Sequence, residues 1–146
     1  MVRLAHVIAM SVLGAGLLEG ARVLVVDDDD DSRDVVAITL EHLGASVITA
    51  SNAAGALRAL QTERPQVILS DLGLPGEDGL SLLRKVRALP ESKGGAIPAI
   101  ALTGRSRSQD RAEIQEGGFQ LHLIKPVTPE ALVEAILHVL RNVSSS

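Results

Sequence analysis

The stretch that decides the fold is residues 22–44, which read RVLVVDDDDDSRDVVAITLEHLG. Its first part, residues 23–26, is a short run of apolar and mostly β-branched residues, which is typical of a strand buried on both faces of a sheet. Its last part, residues 32–43, repeats apolar residues every three or four positions and so predicts an amphipathic helix. The stretch therefore predicts a buried strand, an acidic turn formed by the aspartates at 27–31, and a helix.

The same pattern of a strand followed by a helix recurs four more times toward the C-terminus. Strands are expected at 46–49, 67–69, 97–102 and 121–124, and helices at 53–63, 80–89, 108–116 and 128–141. Strict alternation of this kind predicts an α/β fold with an open parallel sheet and helices on both faces. Residues suited to helix ends support these bounds, with N-caps expected at Ser32, Asn52 and Thr128 and C-terminal stops at Gly44 and Gly117.

The composition is that of one globular domain and excludes several functions. The chain has 146 residues, of which 46% are hydrophobic and 22% charged. With one Phe, no Trp and no Tyr it lacks an aromatic platform for single-stranded nucleic acid, and its net charge of −4 gives no general attraction to phosphate backbones. Direct nucleic-acid binding is therefore not expected. The absence of cysteine excludes disulfides and thiol chemistry and is compatible with the cytoplasm, where we expect the protein.

The N-terminal segment has a different composition from the rest of the chain. Residues 4–18 are nearly uncharged and follow Arg3, but they fall short of the roughly 20 apolar residues of a membrane span. An extra helix or ordered arm, a dispensable extension and a targeting segment all stay open. We expect residues 1–20 to be an extension, 21–143 the folded domain and 144–146 a tail. Because the tail directly follows the fifth predicted helix, an attached output domain is not expected.

Chemically active side chains follow four of the five predicted strands. Asp27 and Asp28 come after the first strand, Asp71 after the third, Thr103 after the fourth and Lys125 after the fifth. Ligands of open parallel sheets bind at the carboxyl ends of the strands, so these groups are expected to converge there. Clustered carboxylates suit Mg²⁺. An aspartate nucleophile forms an acyl phosphate, while a lysine and a hydroxyl can hold the phosphoryl oxygens.

Four segments resemble the signature segments of bacterial two-component response-regulator receiver domains, the CheY-like family. They read VLVVDD at 23–28, DLGLPGEDG at 71–79, ALTG at 101–104 and KP at 125–126, in the family's order and with similar spacing. The similarity covers about residues 22–142. The run GFQLHLIKPV at 118–127 is similar to receivers appended to hybrid sensor histidine kinases.

The resemblance implies a fold, a site and a role for individual residues. The fold is a doubly wound (βα)5 sheet with the flavodoxin-like strand order 2-1-3-4-5. Asp71 matches the phosphoacceptor, which would need Mg²⁺ or Mn²⁺. The metal site would comprise Asp27, Asp28, Asp71 and the backbone carbonyl of Gly73, with Asp28 the direct ligand and Asp27 acting largely through water. The residues that would sense the phosphate are Thr103 and Lys125.

The resemblance also implies partners and a conformational output. The phosphodonor would be a sensor histidine kinase or a histidine phosphotransfer protein. The output would be a changed protein-interaction surface around the fourth helix, the fifth strand and the fifth helix, read by a downstream protein or by a phosphorylation-linked dimer. His122 stands where many receivers carry a switch Tyr or Phe. The peptide bond between Lys125 and Pro126 is expected to be cis.

Other interpretations apply to several of these residues. Asp29, Asp30 and Asp31 are expected to form a solvated loop. Asp78 is expected to be a surface-loop residue rather than an additional metal ligand, and Pro75 and Gly79 are expected to shape the turn.

Three functions other than a phosphoacceptor remain possible from the sequence. An aspartate-nucleophile phosphatase would have a second Asp where this chain has Gly73, and a flavin carrier would have aromatic flanks and a phosphate-cradling loop. A receiver-like binding module that is never phosphorylated also stays open. We expect a signalling phosphoacceptor that catalyses its own phosphoryl transfer rather than an enzyme.

Overall fold

The computed structural model describes residues 16–104 and 110–144, which form a five-stranded parallel sheet with helices on both faces. The strand order is β2-β1-β3-β4-β5, so the predicted doubly wound fold is confirmed. The strands are β1 Arg22–Val26, β2 Ser46–Ala50, β3 Val67–Asp71, β4 Ala99–Thr103 and β5 Leu121–Ile124. The helices are α1 Asp30–His42, α2 Ala53–Glu63, α3 Gly79–Arg87, α4 Arg111–Glu116 and α5 Pro129–Ser144, and Glu91–Lys93 form a single 3-10 turn.

Some predictions fall on parts of the chain that lie outside the described residues. They concern most of the N-terminal extension, the expected start of the fourth helix at 108, and the end of the C-terminal tail. Leu18, inside the expected extension, is 1% exposed and packs against the domain core. Among the helices that the structure describes, none has the length and apolarity to cross a membrane.

The sheet separates two hydrophobic cores. Its central strands β1, β3 and β4 are buried on both faces along almost all of their length, whereas the edge strands β2 and β5 are partly exposed. Val23 and Val25 of β1 face the core beneath α1 and α5, while Leu24 and Val26 face the core beneath α2, α3 and α4. This two-sided burial is why the strands read as continuous apolar runs rather than as alternating ones. Phe119 is the one aromatic residue in these cores, so aliphatic side chains fill most of both layers.

The start of α1 differs from the prediction by two residues. The N-cap is Asp29, whose carboxylate accepts a hydrogen bond from the backbone N–H of Ser32, so the prediction of Ser32 as the cap is wrong. The predicted solvated loop at Asp29, Asp30 and Asp31 is also wrong in part. These residues are exposed, but they cap and begin the helix, where negative charge interacts favourably with the helix dipole.

The other predicted helix ends agree well with the structure. Asn52 accepts from the N–H of Gly55, and the hydroxyl of Thr128 accepts from the N–H of Ala131, as N-caps do. Gly44 follows α1 with a left-handed φ of 100°, and Gly117 is the C-cap of α4. The fourth strand begins at residue 99 rather than at the predicted 97, just after Pro98, which has no N–H to donate to the ladder.

The loop between β3 and α3 passes very close to the end of β3. A Cβ atom on Gly79 would lie 2.6 Å from the backbone oxygen of Asp71, so only glycine fits there without displacing the backbone. This confirms the geometric role expected of Gly79. Asp78 is the N-cap of α3 and accepts from the N–H of Ser81, a role that the sequence interpretation did not include.

Candidate functional site

The candidate site lies at the carboxyl edge of the sheet, where the chain reverses its winding direction. From β1 the chain goes to β2 on one side and later returns to β3 on the other side. Asp27 follows β1 and Asp71 ends β3, so these two aspartates lie on neighbouring strands at the reversal point. Thr103 ends β4, and the N–H of Lys125, just after β5, donates to the carbonyl of Thr103 over 2.7 Å. The fold therefore brings the predicted strand ends to one edge.

Lys125 joins two of the aspartates directly. Its Nζ lies 2.9 Å from Asp71 Oδ2 and 3.0 Å from Asp27 Oδ2. Burial alone would lower the pKa of Lys125, but the hydrogen bonds and charges of Asp71 and Asp27 outweigh it, so the pKa lies above its ordinary value. The ammonium therefore stays charged at neutral pH. The peptide bond from Lys125 to Pro126 is cis, as the resemblance implied.

Asp27 is fully buried and held by three donors. Its Oδ1 accepts from the N–H of Asp29 at 3.0 Å, and its Oδ2 accepts from Ser32 Oγ at 2.7 Å and from Lys125 Nζ at 3.0 Å. Burial would raise the pKa of Asp27, but these hydrogen bonds together lower it below the ordinary value. Asp27 is therefore a buried anion that the surrounding donors keep ionised.

Asp27, Asp28 and Asp71 form an oxygen cluster that fits a divalent cation. Each offers one carboxylate oxygen, and these oxygens all lie within 4.8 Å of one another. Asp28 is exposed, whereas the side chain of Asp71 is 18% exposed. Among the residues that the structure describes, Lys125 is the one cation bonded to carboxylates of this three-aspartate cluster. Hard carboxylate oxygens in this number match the preference of Mg²⁺, so the residues fit the ion that the sequence predicts.

Both oxygens of the Asp71 carboxylate accept hydrogen bonds, and these bonds fix its orientation. Oδ2 accepts from Lys125, and Oδ1 accepts from the backbone N–H of Gly73 at 3.0 Å. Gly73 therefore contacts the predicted phosphoacceptor through its N–H. The role of its carbonyl as a metal ligand stays a prediction.

Thr103 and His122 lie on the neighbouring strands β4 and β5. Thr103 is 1% exposed, and its hydroxyl donates to the carbonyl of Leu123 over 3.4 Å, which is long for a hydrogen bond between oxygens. His122 is half-buried and lines a cleft between α4 and β5 with Ile114 and Phe119. The two predicted switch residues are thus on adjacent strands, and their roles remain predictions.

Ser32 and Arg33 belong to the site although the sequence interpretation gave them no role there. Ser32 donates to Asp27 and lies 3.3 Å from Lys125 Nζ. Arg33 donates to the backbone oxygen of Asp27 at 3.0 Å and to Asp30 at 2.7 Å. With Asp29 recognised as the helix cap, the first turn of α1 points both residues back toward the end of β1. The position of the cap within the aspartate run was the missing signal.

Comparison with protein families gives one match that spans most of the chain. The family model described as "Response regulator receiver domain" matches residues 23–137. An uncharacterised 14.6 kDa protein of Leptolyngbya boryana is 45% identical over 78% of this chain and 86% of its own length. The phosphate regulon transcriptional regulatory protein PhoB of Escherichia coli is 33% identical over 84% of this chain. Sensor histidine kinase GacS of Pseudomonas protegens is 30% identical over 80% of it.

Two of these relatives are much longer than the region that they share with this chain. The match covers 53% of PhoB and 13% of GacS, so this chain corresponds to part of each. Among solved structures, chemotaxis response regulator CheY4 of Vibrio cholerae superposes with a TM-score of 0.74 at 33% identity, covering 82% of this chain and 98% of that one. A CheY-like receiver domain protein of Methanospirillum hungatei gives 0.77 at 29% identity, covering 86% and 97%.

Proposed function

This chain belongs to the family of response regulator receiver domains of two-component signalling, and we propose that its Asp71 accepts a phosphoryl group from a phosphohistidine of a partner protein. The observation that carries the proposal is the position of Lys125 Nζ, 2.9 Å from Asp71 and 3.0 Å from Asp27, beside the exposed carboxylate of Asp28. A nucleophilic carboxylate, a fixed cation and a cluster of hard oxygens are the components that phosphoryl transfer needs.

In this proposal Mg²⁺, or Mn²⁺ in its place, is held by Asp28, Asp71 and the carbonyl of Gly73, with Asp27 acting through water. The bound dication would neutralise the charge that otherwise repels a phosphorylated donor. The hydrogen bonds of Asp27 support its indirect role, because Ser32 and Lys125 already occupy Oδ2 and the N–H of Asp29 occupies one side of Oδ1. Asp28, which is exposed, is the more accessible ligand.

The transfer replaces one bond to phosphorus by another. A carboxylate oxygen of Asp71 forms the new bond to phosphorus while the bond between phosphorus and the donor histidine nitrogen breaks. The electron pair of that bond goes to the nitrogen, and the ring, which carries a proton on its other nitrogen, leaves as neutral imidazole. Lys125 and Thr103 bind phosphoryl oxygens and stabilise the charge that spreads over them in the transition state.

The output of the proposed reaction is a changed surface on α4, β5 and α5. The long hydrogen bond from Thr103 to Leu123 is readily exchanged for a bond to a phosphoryl oxygen. Such an exchange moves the end of β4, where Thr103 pairs with Ile124 of β5, two residues after His122. We propose a histidine kinase or a histidine phosphotransfer protein as the donor, and a downstream protein or a second copy of this chain as the reader. In this view the protein works in the cytoplasm as a signalling phosphoacceptor rather than as an enzyme.

Intact mass measurement after incubation with acetyl phosphate tests this function. With Mg²⁺ we expect the wild-type chain to gain the mass of one phosphoryl group, and with a metal chelator we expect no gain. Asp71→Asn should gain nothing in either condition, whereas Asp78→Asn, which changes an aspartate outside the cluster, should behave as the wild type does. A wild-type chain that gains no mass, or an equal gain in Asp71→Asn, would contradict the proposal.

A further inference from the structure

The hydroxyl group of Ser32 lies inside the ion-pair network of the site. Its Oγ donates to Asp27 Oδ2 over 2.7 Å and lies 3.3 Å from Lys125 Nζ. The backbone N–H of Ser32 is held at the same time by the capping carboxylate of Asp29, at 2.8 Å. Because both the backbone and the hydroxyl are fixed, the start of α1 sets the position of this hydroxyl group.

The three protons of the Lys125 ammonium are matched by three oxygen atoms. These are Asp71 Oδ2 at 2.9 Å, Asp27 Oδ2 at 3.0 Å and Ser32 Oγ at 3.3 Å. A hydroxyl group both donates and accepts, so Ser32 can accept from Lys125 while it gives its own proton to Asp27. Ser32 therefore links the lysine to Asp27 by a second route, in addition to their direct ion pair.

This link matters when the lysine changes partners. During the proposed transfer Lys125 must turn donors toward phosphoryl oxygens, which weakens its contact with Asp27. Asp27 is 0% exposed, and a buried carboxylate that loses its cation without other donors is strongly disfavoured. The hydroxyl of Ser32 and the N–H of Asp29 remain on Asp27 whatever the lysine does, so they hold its charge during the exchange.

We propose that Ser32 is a positioning residue that makes Lys125 exchangeable between Asp27 and the phosphoryl group. The proposal rests on the function proposed for Asp71 and assigns Ser32 no contact with the phosphoryl group itself. Without the hydroxyl, Asp27 would keep only the N–H of Asp29 beside Lys125 and would depend more strongly on the lysine for its charge compensation. The lysine would then be withheld from the phosphoryl oxygens, and phosphorylation would slow.

Ser81 offers a matched control for this hydroxyl. It is the third residue of α3, as Ser32 is the third residue of α1. Its N–H donates to the capping Asp78 at 2.9 Å, and its hydroxyl donates to Glu77 at 2.6 Å. Ser81→Ala therefore removes the same kind of hydroxyl from the same position in a helix, at a place where the lysine contact is Lys85 rather than Lys125.

The first test compares rates of mass gain with acetyl phosphate and Mg²⁺. We expect Ser32→Ala to be slower than the wild type by about tenfold, the scale of one hydrogen bond to a charged group. Ser32→Thr keeps a hydroxyl and should stay within about twofold of the wild type, as should Ser81→Ala. Circular dichroism on each variant checks that the fold is retained. Equal rates for Ser32→Ala and the wild type, or equal slowing in Ser81→Ala or Ser32→Thr, would overturn the proposal.

The second test asks whether Ser32 acts through Lys125. In a Lys125→Ala background, adding Ser32→Ala should change the slow residual rate by less than about twofold, because the two residues act as one unit. A full additional loss would overturn the proposal. A third readout is the Mg²⁺ dissociation constant from amide chemical shifts, which should stay within about threefold in Ser32→Ala because the Asp28 and Asp71 ligands are retained. A loss of affinity as large as the loss of rate would instead make Ser32 a support of the metal site.

The outcomes also separate this proposal from the function on which it rests. If the wild-type chain gains no phosphoryl group, both are wrong. If the wild-type chain is phosphorylated at the same rate as Ser32→Ala, the function stands and the role of Ser32 is wrong.

Discussion

Two helix starts in this molecule use the same four kinds of groups with different consequences. Each helix begins with a capping aspartate, carries a serine at its third residue, and has that serine donate to a carboxylate that is paired with a lysine. In α1 these are Asp29, Ser32, Asp27 and Lys125, and in α3 they are Asp78, Ser81, Glu77 and Lys85.

The two networks differ in where the lysine comes from and how far it is buried. Lys85 belongs to α3 itself, and its side chain is 56% exposed beside a Glu77 that is 25% exposed. Lys125 comes from the end of β5, 98 residues from Asp27, and the two side chains are 28% and 0% exposed. Local sequence therefore builds the same capping chemistry twice. The sheet topology turns one copy into a site by adding a distant lysine and the second carboxylate of Asp71.

The largest expected difference between the two networks is the cost of removing the lysine. Lys125→Ala leaves Asp27 buried without its cation, and breaking a pair of this kind costs about 3 kcal/mol. Lys85→Ala removes a more exposed pair, and its loss should be much smaller because solvent screens the two charges. Denaturant unfolding without divalent metal measures both free energies. Similar losses in the two variants would show that burial does not distinguish the networks.

Divalent metal should stabilise the molecule through the aspartate cluster beside the α1 network and not through the α3 network. At ten times its dissociation constant, Mg²⁺ should raise the free energy of unfolding of the wild type by about 1.4 kcal/mol. Asp28→Asn should lose most of this gain at the same Mg²⁺ concentration, because the variant lacks an accessible ligand. Glu77→Gln should keep the full gain, and a reduced gain in this variant would place the metal elsewhere. The measurement is unfolding at a series of Mg²⁺ concentrations.

Salt should change the pKa of Glu77 in the α3 network more than the pKa of Asp27 in the α1 network, because Asp27 is buried. Burial opposes the ionisation of Asp27, but its hydrogen bonds hold its pKa below the ordinary 3.8, so it adds stability above that pH and loses it as the pH falls through the folded pKa. The hydrogen bond from Lys85 lowers the pKa of Glu77 below its ordinary value of 4.5, and this pair is more open to solvent than the pair of Asp27 and Lys125. High salt should therefore return the pKa of Glu77 toward 4.5 and leave that of Asp27 unchanged.

Carboxyl carbon chemical shifts, followed by NMR against pH at low and high salt, measure the pKa of each group. The pKa of Lys125 is raised above 10.5, so its contribution to stability is complete below that pH and is lost as the pH rises through the folded value. Equal salt shifts for Asp27 and Glu77 would contradict the difference in burial.

The smallest expected difference concerns the caps themselves. Asp29→Ala and Asp78→Ala each remove a side chain that accepts from the N–H three residues later, at 2.8 Å and 2.9 Å. Each should cost about 1 kcal/mol, the typical worth of an N-cap. Thermal unfolding should therefore show nearly equal decreases in melting temperature for the two variants. A much larger loss for Asp29→Ala would mean that this cap also supports the buried network.

The sequence predicted the sheet and the meeting of the strand ends because both follow from simple periodic rules. Short β-branched runs that alternate with helical periods leave few arrangements, and parallel strands place their carboxyl ends at one edge. The positions of Asp27, Asp71 and Lys125 directly after predicted strands are therefore enough to place them at one site. Strand order came instead from the resemblance of four short segments to a known family.

The register of the aspartate run could not be predicted in the same way. Five identical residues at 27–31 offer several equivalent caps, and which carboxylate reaches which N–H depends on how the chain leaves β1. The choice of Asp29 decides that Ser32 lies inside the helix and faces Asp27 rather than solvent. The orientation of the Thr103 hydroxyl toward the carbonyl of Leu123 likewise depends on tertiary packing, which cannot be predicted from the pattern of residues along the chain.

If the buried network at α1 serves phosphorylation of Asp71, the phosphoryl group must be found on that residue. Borohydride reduces an aspartyl phosphate to homoserine, so reduction after incubation with acetyl phosphate and Mg²⁺ marks the modified residue for peptide mass mapping. We expect homoserine at position 71 and nowhere else. Homoserine at position 27 or 28, or at no aspartate in a chain incubated under these conditions, would show that Asp71 is not the phosphoacceptor.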